Sequence, residues 1–288
     1  MILLTGANGQ LGQDFQKYFR QRGIEFIATD YVADERCEAL DITNKAAVAA
    51  FMHGKAIDTI INCAAYNDVD KAEAEPEKAF ALNCEAPKNL GEIAKQNGIV
   101  FVTYSTDFVF DGTKSEPYRE DDLPGPLSIY GKSKYQGEQE VLSIYDQVFV
   151  IRTSWVFGMG NNNFNKSVIR WSKSNSELRI VDDQVSVPTY SWDLAVYSWE
   201  LIQTGNCGLY HLSNQGQASK YDQAKYVLEK TGWQGRLVPA KTGEFNLAAA
   251  RPLYSKLDST KAETLIGRPM PQWTDGIDRF LDEMRDSK

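Results

Sequence analysis

A regular alternation of short apolar runs and amphipathic stretches over the first 155 residues constrains the fold of this 288-residue chain most strongly. Apolar, β-branched runs that are typical of strands occur at 1–5, 24–29, 57–62, 99–104 and 148–152. Stretches with helical periodicity lie between them, at 10–22, 43–54, 75–97 and 127–146. Strands that alternate with helices predict an α/β fold with a Rossmann-type, doubly wound parallel sheet that carries helices on both faces.

A glycine-rich turn lies directly after the first predicted strand and opens the first predicted helix. Glycines at such a junction permit a tight turn and let the backbone approach a pyrophosphate, while the helix N-terminus offers free N–H groups. The spacing is GxxGxxG rather than the usual GxGxxG, and an ordinary glycine-rich turn is the alternative. The predicted cofactor-binding residues of this turn are Gly6, Asn8, Gly9, Gln10, Leu11 and Gly12.

The alternation weakens after residue 155, where helices are predicted only at 191–203, 219–231 and 272–285. We therefore expect two units. Residues 1–155 form a dinucleotide-binding domain, and residues 156–288 form a smaller, mainly substrate-binding region that packs partly back onto the sheet.

Composition and charge exclude several classes of function. The net charge of −8 argues against nonspecific nucleic-acid binding. No apolar run is long enough to cross a membrane, and no secretory signal pattern precedes the first strand. The four cysteines are scattered, which is typical of reduced thiols in a cytoplasmic protein. With only two histidines, His53 and His211, a histidine-based metal site or a Ser-His-Asp triad is unsupported.

Acidic and small residues follow the next two predicted strands. Asp30 ends the second strand, where a carboxylate accepts hydrogen bonds from ribose hydroxyls and repels a 2′-phosphate, so NADH is favoured over NADPH as the cofactor. Asp41 and Ile42 are expected to flank the adenine, although Asp41 also suits a helix start. Small residues at a strand end leave room for a flat cofactor, or simply pack tightly. Those that follow the third strand, with the tyrosine after them, are Ala64, Ala65 and Tyr66.

The candidate catalytic pair is Tyr130 and Lys134, whose spacing places both on one face of a helix. A nearby ammonium is expected to lower the pKa of the phenol, so that the phenol exchanges a proton with a carbonyl oxygen. Tyr221/Lys225 and Tyr226/Lys230 have the same spacing, but only Tyr130 lies in the dinucleotide-binding half.

The strand that precedes this helix ends in a polar string at the expected ligand edge of the sheet. Thr106 is predicted to hydrogen-bond the substrate carbonyl, and Asp107 is predicted to bind a neighbouring sugar hydroxyl. Tyr104, in the same strand, is placed among the cofactor-binding residues.

Together these residues resemble the extended short-chain dehydrogenase/reductases, and longer strings resemble the dTDP-4-dehydrorhamnose reductase family over nearly the whole chain. The strings that carry this resemblance are 69–73 (VDKAE), 105–112 (STDFVFDG), 130–132 (YGK), 152–157 (RTSWVF) and 251–252 (RP).

The resemblance implies a cytoplasmic enzyme that reduces dTDP-4-dehydro-β-L-rhamnose to dTDP-L-rhamnose with NADH or NADPH. It implies that Tyr130 protonates the substrate oxygen, that Lys134 holds the nicotinamide ribose, and that Thr106 orients the carbonyl. Trp155 is expected to pack against the sugar, and Arg251 is expected to bind the substrate.

Some members of the family hold Mg²⁺ with carboxylates at a dimer interface. The matching positions here are Asp14, Asp193 and Glu283, two of which carry aspartate where glutamate is usual in the family. Mg²⁺ and a homodimer are therefore expectations from the resemblance, and solvated acidic residues are the alternative.

Two other functions share the same motifs. A reductase or epimerase for another nucleotide sugar carries the same Tyr/Lys pair and glycine turn. The regulatory subunit of methionine adenosyltransferase also resembles this family and acts as a binding partner rather than a catalyst. The 152–157 string and the 183–189 segment favour the reductase.

Overall fold

The computed structural model describes residues 1–286, and the predicted α/β class is confirmed. Residues 1–155 contain six strands: β1 (Ile2–Thr5), β2 (Phe26–Asp30), β3 (Glu38–Ala39), β4 (Thr59–Asn62), β5 (Val100–Thr106) and β6 (Val148–Thr153). The α-helices between them are α1 (Gln10–Arg22), α2 (Lys45–Met52), α3 (Val69–Ala74), α4 (Pro76–Phe80), α5 (Ala86–Asn97) and α6 (Ile129–Ile144).

Residues 156–286 add shorter strands and further helices. The strands are β7 (Val156–Phe157), β8 (Glu177–Val181), β9 (Val185–Ser186), β10 (Thr189–Tyr190), β11 (Gly208–His211), β12 (Ala218–Ser219) and β13 (Arg236–Ala240). The helices are α7 (Phe164–Ser174), α8 (Ser191–Gln203), α9 (Lys220–Lys230), α10 (Thr260–Ile266) and α11 (Trp273–Asp286). None of the helices in the described residues combines the length and the apolar character that crossing a membrane requires.

The central sheet has seven parallel strands in the order β11-β6-β5-β4-β1-β2-β3. Because neighbouring side chains along a strand point to opposite faces, Leu4 and Ile61 belong to one hydrophobic layer and Leu3 and Ile60 to the other. Helices α1 and α8 contribute to the first layer, and α2, α5 and α6 contribute to the second. Both faces of the sheet are thus covered, as a doubly wound fold requires.

The sheet reverses its strand order between β1 and β4, so the first crossovers run in opposite directions from there. Ligands of open α/β sheets bind at such a point, outside the carboxyl ends of the strands. The glycine turn after β1 and the 62–66 segment after β4 meet at this position. The fold therefore brings the predicted cofactor residues of the two segments together.

The predicted helix 75–97 is wrong in its detail. The chain forms α4, then a π-helical segment (Ala81–Glu85), then α5, and α3 precedes Glu75. Within the π segment, the side chain of the buried Asn83 bonds to both the backbone N–H and the carbonyl of Tyr66, at 2.8 and 3.0 Å. The sequence pattern missed this, since the partner lies outside the helix. Helices α7 and α10 were also missed.

The second half returns to the sheet in two places. Strand β11 pairs with β6, and α8 packs against α1. Helices α7, α9 and α11 surround a separate hydrophobic cluster that includes Phe157, Val227 and Phe280, while Ala262 of α10 belongs to the first layer of the sheet. The division at residues 155 and 156 therefore stays a prediction, and the two halves share one sheet.

Candidate functional site

The glycine turn approaches the neighbouring segment so closely that side chains are excluded. Gly6 has φ +68°, and a Cβ atom there would lie 2.3 Å from the backbone nitrogen of Ala64. A Cβ atom on Gly12 would lie 2.3 Å from the carbonyl oxygen of Gly6. Gly9 precedes α1 as its N-cap and makes no side-chain cap, so the first-turn N–H groups of α1 stay available to an anion.

A cavity of about 600 Å³ opens beside this turn. The predicted residues that line it are Gly6, Asn8, Gly9, Asp30, Asp41, Ile42, Ala64, Ala65 and Tyr66. The sequence reasoning did not single out Tyr31, Leu40, Lys78 and Leu82, which also line it. Lys78 lies on α4, and its position at this cavity depends on the helix break that the sequence pattern did not predict.

Both carboxylate oxygens of Asp30 already accept hydrogen bonds from backbone N–H groups. One carboxylate oxygen accepts the N–H of Asn8 at 2.9 Å, and the other accepts the N–H of Tyr31 at 2.7 Å. The carboxylate of Asp41 accepts the backbone N–H and the hydroxyl of Thr43, so Asp41 stabilises the turn before α2. Both side chains nevertheless line the cavity.

A second cavity of about 410 Å³ continues from the first. Residues common to both linings are Gly9, Cys63, Ala65, Asn67 and Asn161. The predicted residues Gln10, Leu11, Tyr104, Thr106, Asp107, Tyr130, Lys134 and Trp155 line the second cavity. Phe164 and the 161–163 loop, which the sequence reasoning did not assign to a site, complete its wall. A ligand that crosses the first cavity thus reaches the candidate catalytic residues.

Tyr130 and Lys134 lie in the first half of α6, which the Ser128 hydroxyl caps by accepting the N–H of Gly131 at 3.1 Å. The ammonium of Lys134 donates to the carbonyl of Tyr104 at 2.6 Å. Burial lowers the pKa of Lys134 to about 8, and the carboxylate of Glu138 opposes that shift. Helix α6 and strand β5 together hold the lysine at the floor of the cavity.

The pKa expected for Tyr130 was wrong. Burial raises it to about 12, and a hydrogen bond with Thr106 only partly offsets the burial. The ammonium of Lys134 does not act on the phenol in this arrangement, because it is bound to the Tyr104 carbonyl. A phenol that keeps its proton at neutral pH is suited to donate that proton to a developing alkoxide.

A buried ion pair anchors α6 to the sheet below the catalytic residues. The guanidinium of Arg152 on β6 donates to the carboxylate of Glu138 at 2.7–3.1 Å, and each side chain is only 1% exposed. His211 of β11 lies 3.3 Å from the same guanidinium, and burial lowers the pKa of His211 to about 3. Arg152, part of the 152–157 string, therefore has a structural role.

Asp107 is buried behind the catalytic residues. Its carboxylate accepts hydroxyl groups from Thr106 at 3.1 Å, Ser186 at 3.0 Å and Ser255 at 2.6 Å. Burial raises its pKa to about 6, and the three hydrogen bonds oppose the shift. These bonds connect β5 with two segments of the second half of the chain.

Trp155 and Arg251 are placed differently. Trp155 has a left-handed backbone, φ +45°, and the ammonium of Lys220 lies 3.4 Å from the centroid of its ring. Arg251 does not line either cavity: its guanidinium pairs with the carboxylate of Asp70 at 2.6 Å. The predicted contact between Arg251 and a substrate stays a prediction.

Comparison with known proteins identifies the family. The family model described as "RmlD substrate binding domain" matches residues 1–286. The chain belongs to this RmlD family.

Full-length relatives agree with this family. dTDP-4-dehydrorhamnose reductase of Aggregatibacter actinomycetemcomitans is 36% identical over 94% of this chain and 95% of its own length. Spore coat polysaccharide biosynthesis protein SpsK of Bacillus subtilis is 34% identical over 98% and 97%. The solved structure of dTDP-4-dehydrorhamnose reductase from Bacillus anthracis in complex with NADP is 38% identical, with a TM-score of 0.92 over 98% of both chains. The resemblance stated from the sequence is confirmed.

The three carboxylates that the RmlD family resemblance assigned to Mg²⁺ do not fit a metal site. Burial raises the pKa of Asp14 to about 7, and the Ser191 hydroxyl donates to it. Asp193 receives two hydrogen bonds of 2.7 Å from Arg279. Glu283 accepts from Lys17 at 2.5 Å and from the Tyr190 hydroxyl at 2.7 Å.

A hard cation needs several ionised oxygens that are free to face it. Here burial brings the pKa of Asp14 to about 7, and cationic side chains of the protein donate hydrogen bonds to the other two carboxylates. Within residues 1–286, no group of three metal-ligating side chains is arranged as a metal site. As the single chain arranges them, Asp14, Asp193 and Glu283 therefore do not fit the Mg²⁺ site that the resemblance implies.

Proposed function

We propose that this RmlD family member reduces the 4-keto group of dTDP-4-dehydro-β-L-rhamnose to give dTDP-L-rhamnose, with NADH or NADPH as the reductant. The observation that carries the proposal is the position of Tyr130. Its phenol, whose pKa burial raises to about 12, lines with Thr106 a cavity that continues directly from the one beside the glycine turn. The names of the full-length relatives support the same substrate.

The residues of the glycine turn are suited to hold the dinucleotide. The N-terminus of α1 would hold the pyrophosphate, and Asp30 and Asp41, which line the same cavity, would flank the adenosine. When bound, the reduced nicotinamide supplies the hydride that adds to C4 of the sugar. The preference for NADH rests on the carboxylate of Asp30, which repels a 2′-phosphate. The NADP in the Bacillus anthracis relative makes NADPH the necessary parallel test.

Side chains of the protein transfer the proton to the sugar oxygen. The carbonyl oxygen of the sugar accepts a hydrogen bond from the Thr106 hydroxyl, whose one hydrogen turns to it from Asp107. The same oxygen then takes the phenolic proton of Tyr130, so that a hydroxyl group forms and a tyrosinate remains. A tyrosinate in this buried place is costly, which is why its pKa is raised. Lys134, one helical turn further along α6, supplies the positive charge that stabilises it once substrate binding draws the ammonium from the Tyr104 carbonyl.

The sugar end of the cavity is lined by Trp155 and Phe164. We propose that the Trp155 ring packs against the sugar, because aromatic faces suit the apolar side of a hexose ring. Asp107 acts on the sugar through Thr106, to which it is hydrogen-bonded. Arg251 reaches the nucleotide only if its pair with Asp70 opens.

The deciding experiment follows oxidation of NADH and NADPH in parallel, with dTDP-4-dehydrorhamnose as the acceptor, with and without added Mg²⁺. We expect rapid oxidation, dTDP-rhamnose as the product, and no requirement for Mg²⁺. If the sugar changes its stereochemistry and no reductant is consumed, the enzyme is an epimerase. A folded protein that binds NADH, oxidises none with any nucleotide sugar and binds a methionine adenosyltransferase would contradict the proposal. Sedimentation of the same sample tests the predicted homodimer.

A further inference from the structure

Lys220 is an unassigned cation at the sugar end of the cavity. Its ammonium lies 3.4 Å from the centroid of the Trp155 ring and 4.7 Å from that of Phe164. Both rings belong to the wall of the 410 Å³ cavity. A cation over an indole face is attracted by the ring quadrupole, and the attraction grows when water is excluded.

The position of Lys220 in its helix is locally unfavourable. It is the first residue of α9, where a positive charge opposes the helix dipole. The backbone cannot easily move it away, because Ser219 and Asp222 form a reciprocal capping box at this helix start. A lysine at a position that is locally unfavourable points to a role in tertiary structure or in the site.

The sheet pairing explains why Lys220 reaches the site. Strand β12, which ends one residue before it, pairs with β9, so that Ala218 lies opposite Ser186. The Ser186 hydroxyl donates to Asp107. Burial lowers the pKa of Lys220 to about 7, and the carboxylate of Asp107 opposes that shift. No carboxylate within residues 1–286 makes a salt bridge or a hydrogen bond with the Lys220 ammonium. The two rings are its cation–π partners among residues 1–286.

We infer that Lys220 is a positioning residue that holds the Trp155 ring at the sugar end of the cavity. The inference rests on the proposed function for its effect on turnover. Trp155 has a left-handed backbone that a non-glycine residue adopts at a cost, so its ring needs contacts that keep it in place. The Lys220 ammonium supplies such a contact from the second half of the chain.

The test compares Lys220→Met with Lys225→Met. Methionine keeps an unbranched side chain without the charge. Lys225 lies on the same helix, is exposed, and reaches only Glu229 at 4.0 Å. In Lys220→Met we expect the KM for the sugar nucleotide to rise about tenfold, while kcat and the affinity for the dinucleotide stay near those of the wild type. Lys225→Met should leave all three values unchanged.

Lys220→Arg is the rescue variant, because a guanidinium also stacks on aromatic faces. We expect it to restore most of the affinity for the sugar nucleotide. An unchanged KM in Lys220→Met, or no rescue by arginine, would contradict the inference.

A second readout does not depend on the substrate. The emission of Trp155 is obtained by subtracting, for each variant, the spectrum of the same variant with Trp155→Phe. This component should change in wavelength or intensity in Lys220→Met and remain constant in Lys225→Met. A raised KM with an unchanged Trp155 component would mean that Lys220 contacts the substrate directly, which overturns the positioning role. If the wild type fails to reduce the keto sugar, the proposed function fails, and this spectrum still decides the role of Lys220.

Discussion

The two ends of the cleft are built by different means. At the dinucleotide end, the backbone of the glycine turn approaches Ala64 so closely that no side chain fits between them. At the sugar end, the wall depends on the side chains of Trp155, Phe164 and Lys220 and on the buried carboxylate of Asp107. The first end presents backbone N–H groups, and the second presents aromatic faces and charged groups with shifted pKa values.

This difference predicts which kind of substitution disrupts each end of the cleft. A backbone cradle fails when extra volume is added, because close-packed segments have little room to relax. A wall of side chains fails when a charge or a ring is removed, and the rest of the fold can stay intact. Tyr130 lies between the two ends, so a substitution of its hydroxyl group should affect the chemistry and spare both.

The largest effect is expected for Tyr130→Phe. Loss of a positioned proton donor should lower turnover by about 10²–10⁴-fold, with dinucleotide binding nearly intact. Steady-state kinetics with the keto sugar and a separate NADPH titration measure the two effects. Tyr221→Phe is the control: it removes the hydroxyl group of Tyr221 in the Tyr221/Lys225 pair, which lies outside the dinucleotide-binding half, and should retain full turnover. Near wild-type turnover in Tyr130→Phe would remove this phenol from the mechanism.

Gly6→Ala disrupts the dinucleotide end because it adds the volume of a methyl group. The new Cβ atom would lie 2.3 Å from the Ala64 nitrogen, and the backbone has φ +68°. Gly23→Ala is the matched control, since Gly23 has φ +64° and open space around it. We expect a loss of unfolding free energy of about 1–2 kcal/mol from the left-handed backbone alone in the control. The clash adds about 1–3 kcal/mol in Gly6→Ala.

Urea unfolding and NADPH titration distinguish these two glycine variants. Dinucleotide affinity should fall in Gly6→Ala only. Equal losses of stability in the two variants, with dinucleotide affinity retained, would show that the close approach between Gly6 and Ala64 does not matter.

Asp14→Asn tests the junction of α1 with the second half of the chain. The pKa of Asp14 is raised to about 7 in the folded protein, so the folded state binds this proton more tightly than the unfolded chain. Its stabilising contribution is therefore complete below the ordinary aspartate pKa and is lost as the pH rises through 7. From pH 5 to pH 8 the wild type should lose about 3 kcal/mol of unfolding free energy through this group.

Asparagine stays neutral, so Asp14→Asn should remove most of that pH dependence and be the more stable protein at pH 8. Thermal unfolding at pH 5, 6, 7 and 8 provides the measurement. Asp121→Asn, at an exposed aspartate, should keep the wild-type profile. A profile of Asp14→Asn that matches the wild type would mean that this carboxyl group is not held neutral.

Asp30→Ala should have the smallest of these effects. The variant loses the charged acceptor of the hydrogen bonds from the ribose hydroxyls, so its affinity for NADH should fall about tenfold. Its affinity for NADPH should fall less, since the repulsion of the 2′-phosphate is removed at the same time. Asp34→Ala changes an exposed carboxylate that pairs with Arg36, and it serves as the control. Equal ratios of NADH to NADPH affinity before and after the change would mean that Asp30 does not distinguish the cofactors.

Much of the secondary structure was predictable because its signals are local. The bounds predicted for α1 and α8, 10–22 and 191–203, coincide with those of the structure. The division of the predicted helix 75–97 was not predictable, because the π segment is stabilised by bonds between Asn83 and the distant Tyr66. The same limit applies to the carboxylates assigned to Mg²⁺, whose partners Arg279 and Lys17 lie far from them in the chain.

The amino-acid sequence by itself determined the α/β fold, the glycine turn at the first βα junction and the spacing that places Tyr130 and Lys134 on one face of a helix. Each depends on residues that are close in the chain, where periodicity and backbone preference decide the outcome. Only the tertiary structure decided that Tyr130 keeps its proton, that Asp107 is held by Ser186 and Ser255, and that Lys220 lies over Trp155. Burial and long-range contacts set pKa values and ring positions, and the packing that creates them joins segments from opposite halves of the chain.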